Sequence, residues 1–108
     1  MVNPLLTQFL LSRIRPEDDV LDVGCGYGWV AKTVLPMIDH YGKAIGLDIV
    51  PGAAADIRWD ITLGLQLFRD NSFDIVLLLD VVEHLGRLSG ERLIEDAQRI
   101  TKREIILL

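Results

Sequence analysis

The sequence of 108 residues has little that would cross-link it or hold it in a membrane. Its only cysteine is Cys25, which excludes an intrachain disulfide and fits a reducing compartment. No apolar run approaches the roughly 20 residues that span a bilayer. The first residues also lack the basic start and small-residue cleavage site of a secretory signal. These absences predict a cytoplasmic protein without a membrane segment.

Positive charge is also scarce, with 11 lysine and arginine residues against 16 aspartate and glutamate residues and a formal net charge of −5. Proteins that grip phosphate backbones usually carry a basic surface, so this balance argues against nucleic acid as a partner. Half of the residues are hydrophobic, which is ordinary for one soluble domain. We expect a single domain over residues 1–108, with an N-terminal helix and linker at 1–19 and a core at 20–108.

Hydrophobic patterning along the chain predicts strands that alternate with helices. The predicted strands are 20–23, 44–49, 57–60, 73–79 and 104–108, and the predicted helices are 4–14, 29–40, 63–68 and 89–101. The apolar stripe of the second helix is predicted at Val30, Val34, Met37 and Ile38. Pro36 lies inside this helix, where it predicts a kink or an early end. About six residues join the second and third strands, which is short for a parallel crossover.

This alternation predicts an α/β fold with an open, mainly parallel sheet and helices on both faces. Right-handed crossovers favour the strand order 3-2-1-4-5. The strand order then reverses between strands 1 and 4. A ligand crevice is expected at the carboxyl ends of these two strands.

A glycine cluster follows the first predicted strand and therefore lies at this crevice. Gly24, Gly26 and Gly28 permit a sharp turn and a close approach of backbone to ligand. Trp29 occupies the position where a dinucleotide fingerprint needs a small residue, which disfavours an NAD-dependent oxidoreductase. Asp22 precedes the loop, where a carboxylate is a poor neighbour for phosphates but suits an ammonium or sulfonium ion.

Two further carboxylates end predicted strands at the same edge. Asp48 follows the glycine loop by roughly twenty residues, the position of a ribose-binding acid, although it could be a plain strand-end carboxylate. Asp60 could accept a hydrogen bond from an adenine amino group or could be purely structural.

Two other residues have both functional and structural interpretations. Cys25 is expected to be a small buried residue, and no metal site is predicted because no second cysteine accompanies it. His84 follows the fourth strand, where it could act as a general base toward an attacking hydroxyl or amine. It could equally fix its loop by binding a backbone group.

These segments together resemble the class I S-adenosylmethionine-dependent methyltransferases, which have a Rossmann-like fold. Residues 20–28 match the family's first motif almost residue for residue, and 46–49 resemble its acidic second motif. Asp60 and Ile61 stand where the family often places its adenine-contacting acid. Residues 72–85 are similar to the fourth motif of the small-molecule branch. The resemblance runs from about residue 5 to residue 108.

The resemblance implies S-adenosylmethionine as cofactor and transfer of its methyl group to a small-molecule acceptor. The residues implied at the cofactor are Asp22, Gly24, Cys25, Gly26, Asp48, Ile49, Asp60, Ile61 and Asp80. The glycine loop and the acid before it would line the amino-acid end of the cofactor. The acids after strands 2 and 3, with the isoleucine that follows each, would hold the ribose and adenine. Asp80 would lie near the reacting methyl, and His84 is the candidate catalytic residue.

The sequence departs from the family after its fifth strand, where the family normally adds two more strands. An alternative is therefore a non-catalytic methyltransferase-like domain that serves as a structural or regulatory subunit. The fifth strand would be an apolar edge with unpaired backbone groups. We expect a partner chain to cover this edge, most simply the same strand of a second copy in a homodimer.

Overall fold

The computed structural model describes residues 3–108; Met1 and Val2, which belong to the predicted N-terminal segment, lie outside the described residues. Its centre is a sheet of five strands in the order β3-β2-β1-β4-β5, as predicted. Every neighbouring pair of strands in this sheet is parallel. The strands are β1 Val20–Val23, β2 Ala44–Asp48, β3 Ile57–Arg58, β4 Phe73–Leu78 and β5 Thr101–Leu107.

Within residues 3–108, two α-helices flank the sheet, α1 at Pro4–Arg13 and α2 at Arg87–Ile100. Asn3 caps α1, since its side-chain oxygen accepts from the backbone N–H groups of Leu5 and Leu6 at 3.0 and 3.3 Å. Pro4 takes the first helical position, where its missing N–H costs nothing. Both α-helices were expected from the sequence.

The helix after the glycine loop is irregular. It runs as π turns over Val30–Val34 and then as tight 3-10 turns over Leu35–Ile38. Pro36 lies in the tight part, in agreement with the predicted kink. The change of pitch rotates the predicted apolar stripe. Leu35 is buried, whereas Met37, expected in the stripe, is 56% exposed.

The sheet separates two layers of apolar side chains. Alternate residues of β1 show the division, because Leu21 and Val23 face α2 while Val20 faces α1 and the irregular helix. The buried members on the α2 side are Leu21, Val23, Leu47, Leu65, Phe73, Val76, Leu78, Val81, Leu93, Ala97 and Ile100. Those on the α1 side are Leu10, Ile14, Val20, Val30, Val34, Leu35, Ile75, Leu77 and Ile106. The predicted helices on both faces are thus confirmed.

The predicted helix over residues 63–68 is wrong. A short 3-10 turn occupies Ile61–Leu63, and Gly64 ends it with a φ of 84°. Side chains of α2 hold the residues that follow. Asp96 accepts the N–H of Leu65 at 2.6 Å, and Arg99 donates to the carbonyl oxygens of Leu65 and Phe68. Strand β3 is also shorter than predicted.

The amino ends of the strands are joined by polar contacts. Asp18, only 2% exposed, accepts two hydrogen bonds from the guanidinium of Arg103 at the start of β5. It also accepts the N–H of Arg15 at 2.7 Å. Asp19 accepts the N–H of Lys43 at 2.9 Å and donates its own N–H to Asp74 at 2.8 Å. The linker before β1 is thereby tied to β2, β4 and β5.

Among the described residues, none of the helices has the length and hydropathy needed to cross a membrane.

Candidate cofactor-binding site

The glycine loop lies at the carboxyl ends of β1 and β2, next to the point where the strand order reverses. Gly24, Gly26 and Gly28 have φ values of 74°, 57° and 85°, which side-chain-bearing residues rarely adopt. The backbone N–H groups of Gly24 and Cys25 both donate to the carbonyl oxygen of Leu47, at 2.8 and 2.9 Å. The loop is therefore anchored directly on β2.

Asp48 joins the glycine loop to the segment that leaves β2. Its Oδ2 accepts the N–H of Gly26 and its Oδ1 accepts the N–H of Val50, both at 2.9 Å. A carboxylate oxygen has capacity for more than one hydrogen bond, so both oxygens can still accept from a ligand. The predicted ribose-binding acid thus stands beside the loop, and its orientation is fixed by two backbone donors.

An open cleft of about 460 Å³ lies above Asp48. Its wall on the β2 side is the segment 50–53, and its wall on the loop side is Gly26 and Tyr27. This volume falls in the range of small-molecule sites. Tyr27, which sequence reasoning missed, is 86% exposed at this cleft. An aromatic residue inside a glycine loop was the signal that could have identified it.

The connection between β2 and β3 contains no helix and packs directly on the glycine loop. Ala54 donates its N–H to the carbonyl oxygen of Gly26 at 2.8 Å. Asp56, also missed, accepts the N–H of Gly46 at 2.8 Å and donates its own N–H to the Gly46 carbonyl at 2.9 Å. The short connection predicted from the sequence is therefore a wall of the site.

Asp22 has a different environment from the other acids. It is half-buried, and its carboxylate accepts no hydrogen bond from any residue in the described range 3–108. It lines a small cavity of about 30 Å³ beneath the glycine loop, together with Cys25, Gly46 and Asp56. Burial and the nearby charge of Asp48 raise the pKa of Asp22 to about 7. A positive charge near Asp22 would stabilise its carboxylate and lower this pKa.

Cys25 turns its thiol inward beneath the loop. A Cβ at Gly46 would lie 2.8 Å from its Sγ, so the glycine makes room for the sulfur. Burial and the negative charges of Asp22, Asp48 and Asp56 raise the pKa of the Cys25 thiol to about 11. The thiol is therefore neutral near pH 7 and unsuited to act as a nucleophile. It is half-buried, where the sequence predicted a small buried residue.

Asp60 and Ile61 follow β3, and Ile49 follows β2. Asp60 caps the next turn, where its Oδ1 accepts the N–H and the hydroxyl of Thr62 at 3.0 and 2.7 Å. These hydrogen bonds lower the pKa of Asp60. Ile61 packs partly against the core, and Ile49 is 49% exposed beside the cleft. The structural interpretation of Asp60 as a cap therefore applies, while its Oδ2 has no hydrogen-bond partner among the described residues.

Asp80 and His84 lie together after β4. Asp80 has a φ of 57°, and its N–H donates to the carbonyl oxygen of Leu108 at 2.7 Å. The Nε2 of His84 lies 3.7 Å from the Oδ1 of Asp80, with the two side chains 70% and 83% exposed. Glu83 completes an exposed group of three side chains. One carboxylate oxygen or ring nitrogen of each lies within 4.8 Å of those of the other two. Both predicted residues are thus accessible from the crevice side of the sheet.

Comparison with known proteins identifies a family and several relatives. A family model described as a methyltransferase domain matches residues 21–108. Ribosomal RNA large subunit methyltransferase E of Brachyspira hyodysenteriae is 34% identical over 70 residues, which cover 59% of this chain and 36% of that relative. The chain thus matches little more than a third of the relative's length.

Solved structures share the fold. A SAM-dependent methyltransferase from Archaeoglobus fulgidus aligns with a TM-score of 0.77 and 22% identity, covering 95% of this chain and 51% of its own. Magnesium protoporphyrin IX methyltransferase from Synechocystis PCC 6803, with bound SAM, gives a TM-score of 0.70 and 20% identity over 95% and 54% of the two chains. The chain therefore spans about half the length of these structures.

One prediction about partners is wrong. The net negative charge was taken to argue against nucleic acid, yet a relative is a ribosomal RNA methyltransferase. A nucleic acid acceptor is therefore possible, because a whole-chain net charge does not describe each local surface. The comparisons do not show the expected homodimer.

The family match, the strand order and the position of the glycine loop agree with one another. S-adenosylmethionine is named for the similar structures from Archaeoglobus fulgidus and Synechocystis. This chain belongs to the methyltransferase domain family, among the class I S-adenosylmethionine-dependent methyltransferases of Rossmann-like fold.

Proposed function

We propose that this chain binds S-adenosylmethionine in the cleft above Asp48 and forms the cofactor-binding part of a methyltransferase. The observation that carries the proposal is the position of Asp48, held by the N–H groups of Gly26 and Val50 with its oxygens toward the cleft. A ribose offers two neighbouring hydroxyl donors, which match two fixed carboxylate oxygens.

The chain also fits the two ends of this cofactor. Ile49 is an exposed apolar side chain beside the cleft, suited to one face of an adenine ring. Asp60, with Ile61 next to it, has a free Oδ2 for the adenine amino group. At the other end, Gly24, Cys25 and Gly26 bring backbone close to the amino-acid part. Asp22 supplies a negative charge without a partner among the described residues.

Bound S-adenosylmethionine would supply a methyl carbon on a positively charged sulfur, which keeps the electron pair of the broken C–S bond when an acceptor takes the methyl. The chain's own residues then mainly position and orient, since such a leaving group needs little acid–base help. Asp80 would face the methyl-bearing end. His84, accessible and next to Asp80, would take the proton that a hydroxyl or amine acceptor loses.

For the acceptor, the similarity of residues 72–85 to the fourth motif supports a small molecule. The relative from Brachyspira is named for ribosomal RNA. Incubation with radiolabelled S-adenosylmethionine and either a pool of small hydroxyl and amine compounds or purified ribosomal RNA separates the two classes. Label in the RNA alone would contradict the small-molecule acceptor.

The cofactor assignment is tested by calorimetric titration with S-adenosylmethionine, S-adenosylhomocysteine and NAD. We expect binding of the first two without NAD, and loss of that binding in Asp48→Ala. Asp39→Asn is the matched control, because Asp39 ends the irregular helix away from the cleft with a φ of 51° that asparagine also adopts. If Asp48→Ala binds as tightly as the natural chain, the ribose assignment is wrong.

A further inference from the structure

A groove of about 240 Å³ lies between the first turns of α1 and the end of β5. It is lined by Asn3 and by four apolar residues, which are Leu5, Leu6, Phe9 and Leu108. Asn3 already uses its side-chain oxygen to cap α1. Within residues 3–108, none of the side chains that line the groove carries a charge, so the groove presents mainly apolar surface.

Helix α1 carries more apolar surface than the core uses. Leu10 is fully buried in the layer between the helix and the sheet, whereas Leu5 is 76% exposed and Phe9 is 38% exposed. Exposed apolar side chains that gather in one place indicate a binding surface more often than scattered ones do. Packing of the helix on the sheet does not account for these two residues, and both of them line the groove.

The wall that Phe9 forms is held in place by Arg13, one turn further along α1. The guanidinium carbon of Arg13 lies 5.2 Å from the centroid of the Phe9 ring, in a cation–π contact. Arg13 also pairs with Glu104 of β5, with 3.5 Å between Nη1 and Oε2. In addition, Arg103 donates to the Arg13 carbonyl oxygen at 3.1 Å. Helix α1 is thus fastened to β5, and the groove is formed without a ligand.

The groove is continuous with the end of β4 through the backbone of Leu108. The N–H of Leu108 donates to the carbonyl oxygen of Leu78 at 3.1 Å, and the Leu108 carbonyl oxygen accepts the N–H of Asp80 at 2.7 Å. Asp80 is the residue proposed to face the methyl-bearing end of the cofactor. A direct hydrogen bond therefore joins a wall of the groove to the proposed place of methyl transfer.

We propose that the groove holds an uncharged ring of the methyl acceptor and directs a hydroxyl or amine on that ring toward Asp80. The proposal rests on the proposed function and makes Leu5, Phe9 and Leu108 determinants of acceptor specificity. The size of the groove supports a ring, because an apolar cavity of about 150 Å³ is enough to hold benzene. The lining supports an uncharged ring, because a charge buried against leucine and phenylalanine without a partner is unfavourable.

The test is an NMR titration of the isotope-labelled chain, bound to S-adenosylhomocysteine, with phenol and with glycerol. The bound S-adenosylhomocysteine fills the proposed cofactor site, so phenol cannot bind there. We expect phenol to shift the backbone amide signals of Leu6, Phe9, Asp80 and Leu108. Glycerol, which has hydroxyls but no ring, should shift none of them. Equal shifts with both compounds, or phenol binding only elsewhere on the chain, would overturn the proposal.

The same titration is repeated with two variants. Leu5→Ser should weaken phenol binding by roughly fivefold to tenfold, because it removes apolar surface from the groove. Leu88→Ser is the matched control, since Leu88 is 80% exposed on α2 and does not line the groove. Both side chains are largely exposed, so neither change should prevent folding. Equal phenol affinity in the two variants would contradict the assignment of the groove.

Failure of this proposal and failure of the proposed function give different results. If S-adenosylhomocysteine does not shift the amide signals of the glycine loop, the proposed function is wrong and the acceptor assignment fails with it. If S-adenosylhomocysteine binds but phenol does not, the acceptor assignment alone is wrong. Sedimentation of the natural chain and of Leu5→Ser tests another occupant. A dimer that the substitution dissociates would mean that a second copy covers the groove, which would also overturn the proposal.

Discussion

Gly24 and Val81 approach so closely that a Cβ at Gly24 would lie 2.9 Å from Cγ2 of Val81. The contact joins the glycine loop after β1 to the loop after β4. A glycine is needed here for two separate reasons, the crowding and the φ of 74°. The same contact fixes how closely the two strand ends that flank the crevice can meet.

Gly24→Ala should weaken cofactor binding at least tenfold and lower the free energy of unfolding by about 2 kcal/mol, because strain and clash act together. Gly86→Ala is the control, since a Cβ there would meet nothing within 4 Å and Gly86 does not line the cofactor cleft. Calorimetric titration and urea unfolding measure the two effects. Adding Val81→Ala should restore part of the binding, and no rescue would mean that the backbone strain alone matters.

Arg103→Ala should lower the free energy of unfolding by about 3 kcal/mol, because it leaves the buried carboxylate of Asp18 without its guanidinium partner. Lys102→Ala, at the exposed neighbouring position, is the control and should change little. Urea unfolding followed by circular dichroism measures both. Equal stability of the two variants would contradict a stabilising role for the pair.

Low pH should remove the stability that the Asp18–Arg103 pair contributes. Burial by itself raises the pKa of Asp18, but the hydrogen bonds from Arg103 and the Arg15 N–H outweigh it, and the pKa is lowered. A lowered pKa in the folded state means that stability is present above the unfolded value near 4 and is lost as pH falls through the folded value. Urea unfolding between pH 5 and pH 2 should therefore show a steeper loss in the natural chain than in Asp18→Asn. Parallel curves would overturn this assignment.

Cys25 should react slowly with iodoacetamide. With a thiol pKa of about 11, the reactive thiolate at pH 8 is roughly a hundred times rarer than in an unperturbed cysteine. Because the chain has one cysteine, mass spectrometry reports this site alone. Alkylation in urea should proceed at the ordinary rate, and a fast reaction in the folded protein would show that the thiol is neither buried nor near the carboxylates.

Gly64→Ala should destabilise the segment that joins β3 to β4. A Cβ there would lie 2.5 Å from Oδ2 of Asp96, the oxygen that accepts the N–H of Leu65. We expect a loss of about 2 kcal/mol on urea unfolding, since both the φ of 84° and that hydrogen bond are affected. Gln66→Ala, at an exposed neighbouring position, serves as the comparison.

The strand order and the glycine loop could be predicted because both depend on local patterns. Residues 73–79 are apolar except for Asp74, and the loop follows a buried strand directly, so chain order and handedness fix where they lie. The pairing of Asp48 with Gly26 could not be predicted, because the two residues are 22 positions apart. Such a contact depends on how the sheet brings β2 beside the loop.

The errors have two physical origins, tertiary contacts and a local change of helix pitch. Residues 63–68 looked helical, but Arg99 of α2 binds two of their carbonyl oxygens, and Gly64 interrupts them with a positive φ. Met37 was expected inside, but the tightened turns at Pro36 rotate it outward. The raised pKa of Asp22 was equally invisible, since it needs the burial and the position of Asp48.

All five strands run in the same direction, so the amino ends and the carboxyl ends of the strands carry different groups. The contacts of Asp18 and Asp19 lie at the amino ends of the strands, and Asp22, Asp48 and the glycine loop lie toward their carboxyl ends. Substitutions at the two ends share no direct partner, so their free-energy effects should add. Stability and ligand preference in this fold can therefore be changed one at a time, by engineering or by natural selection.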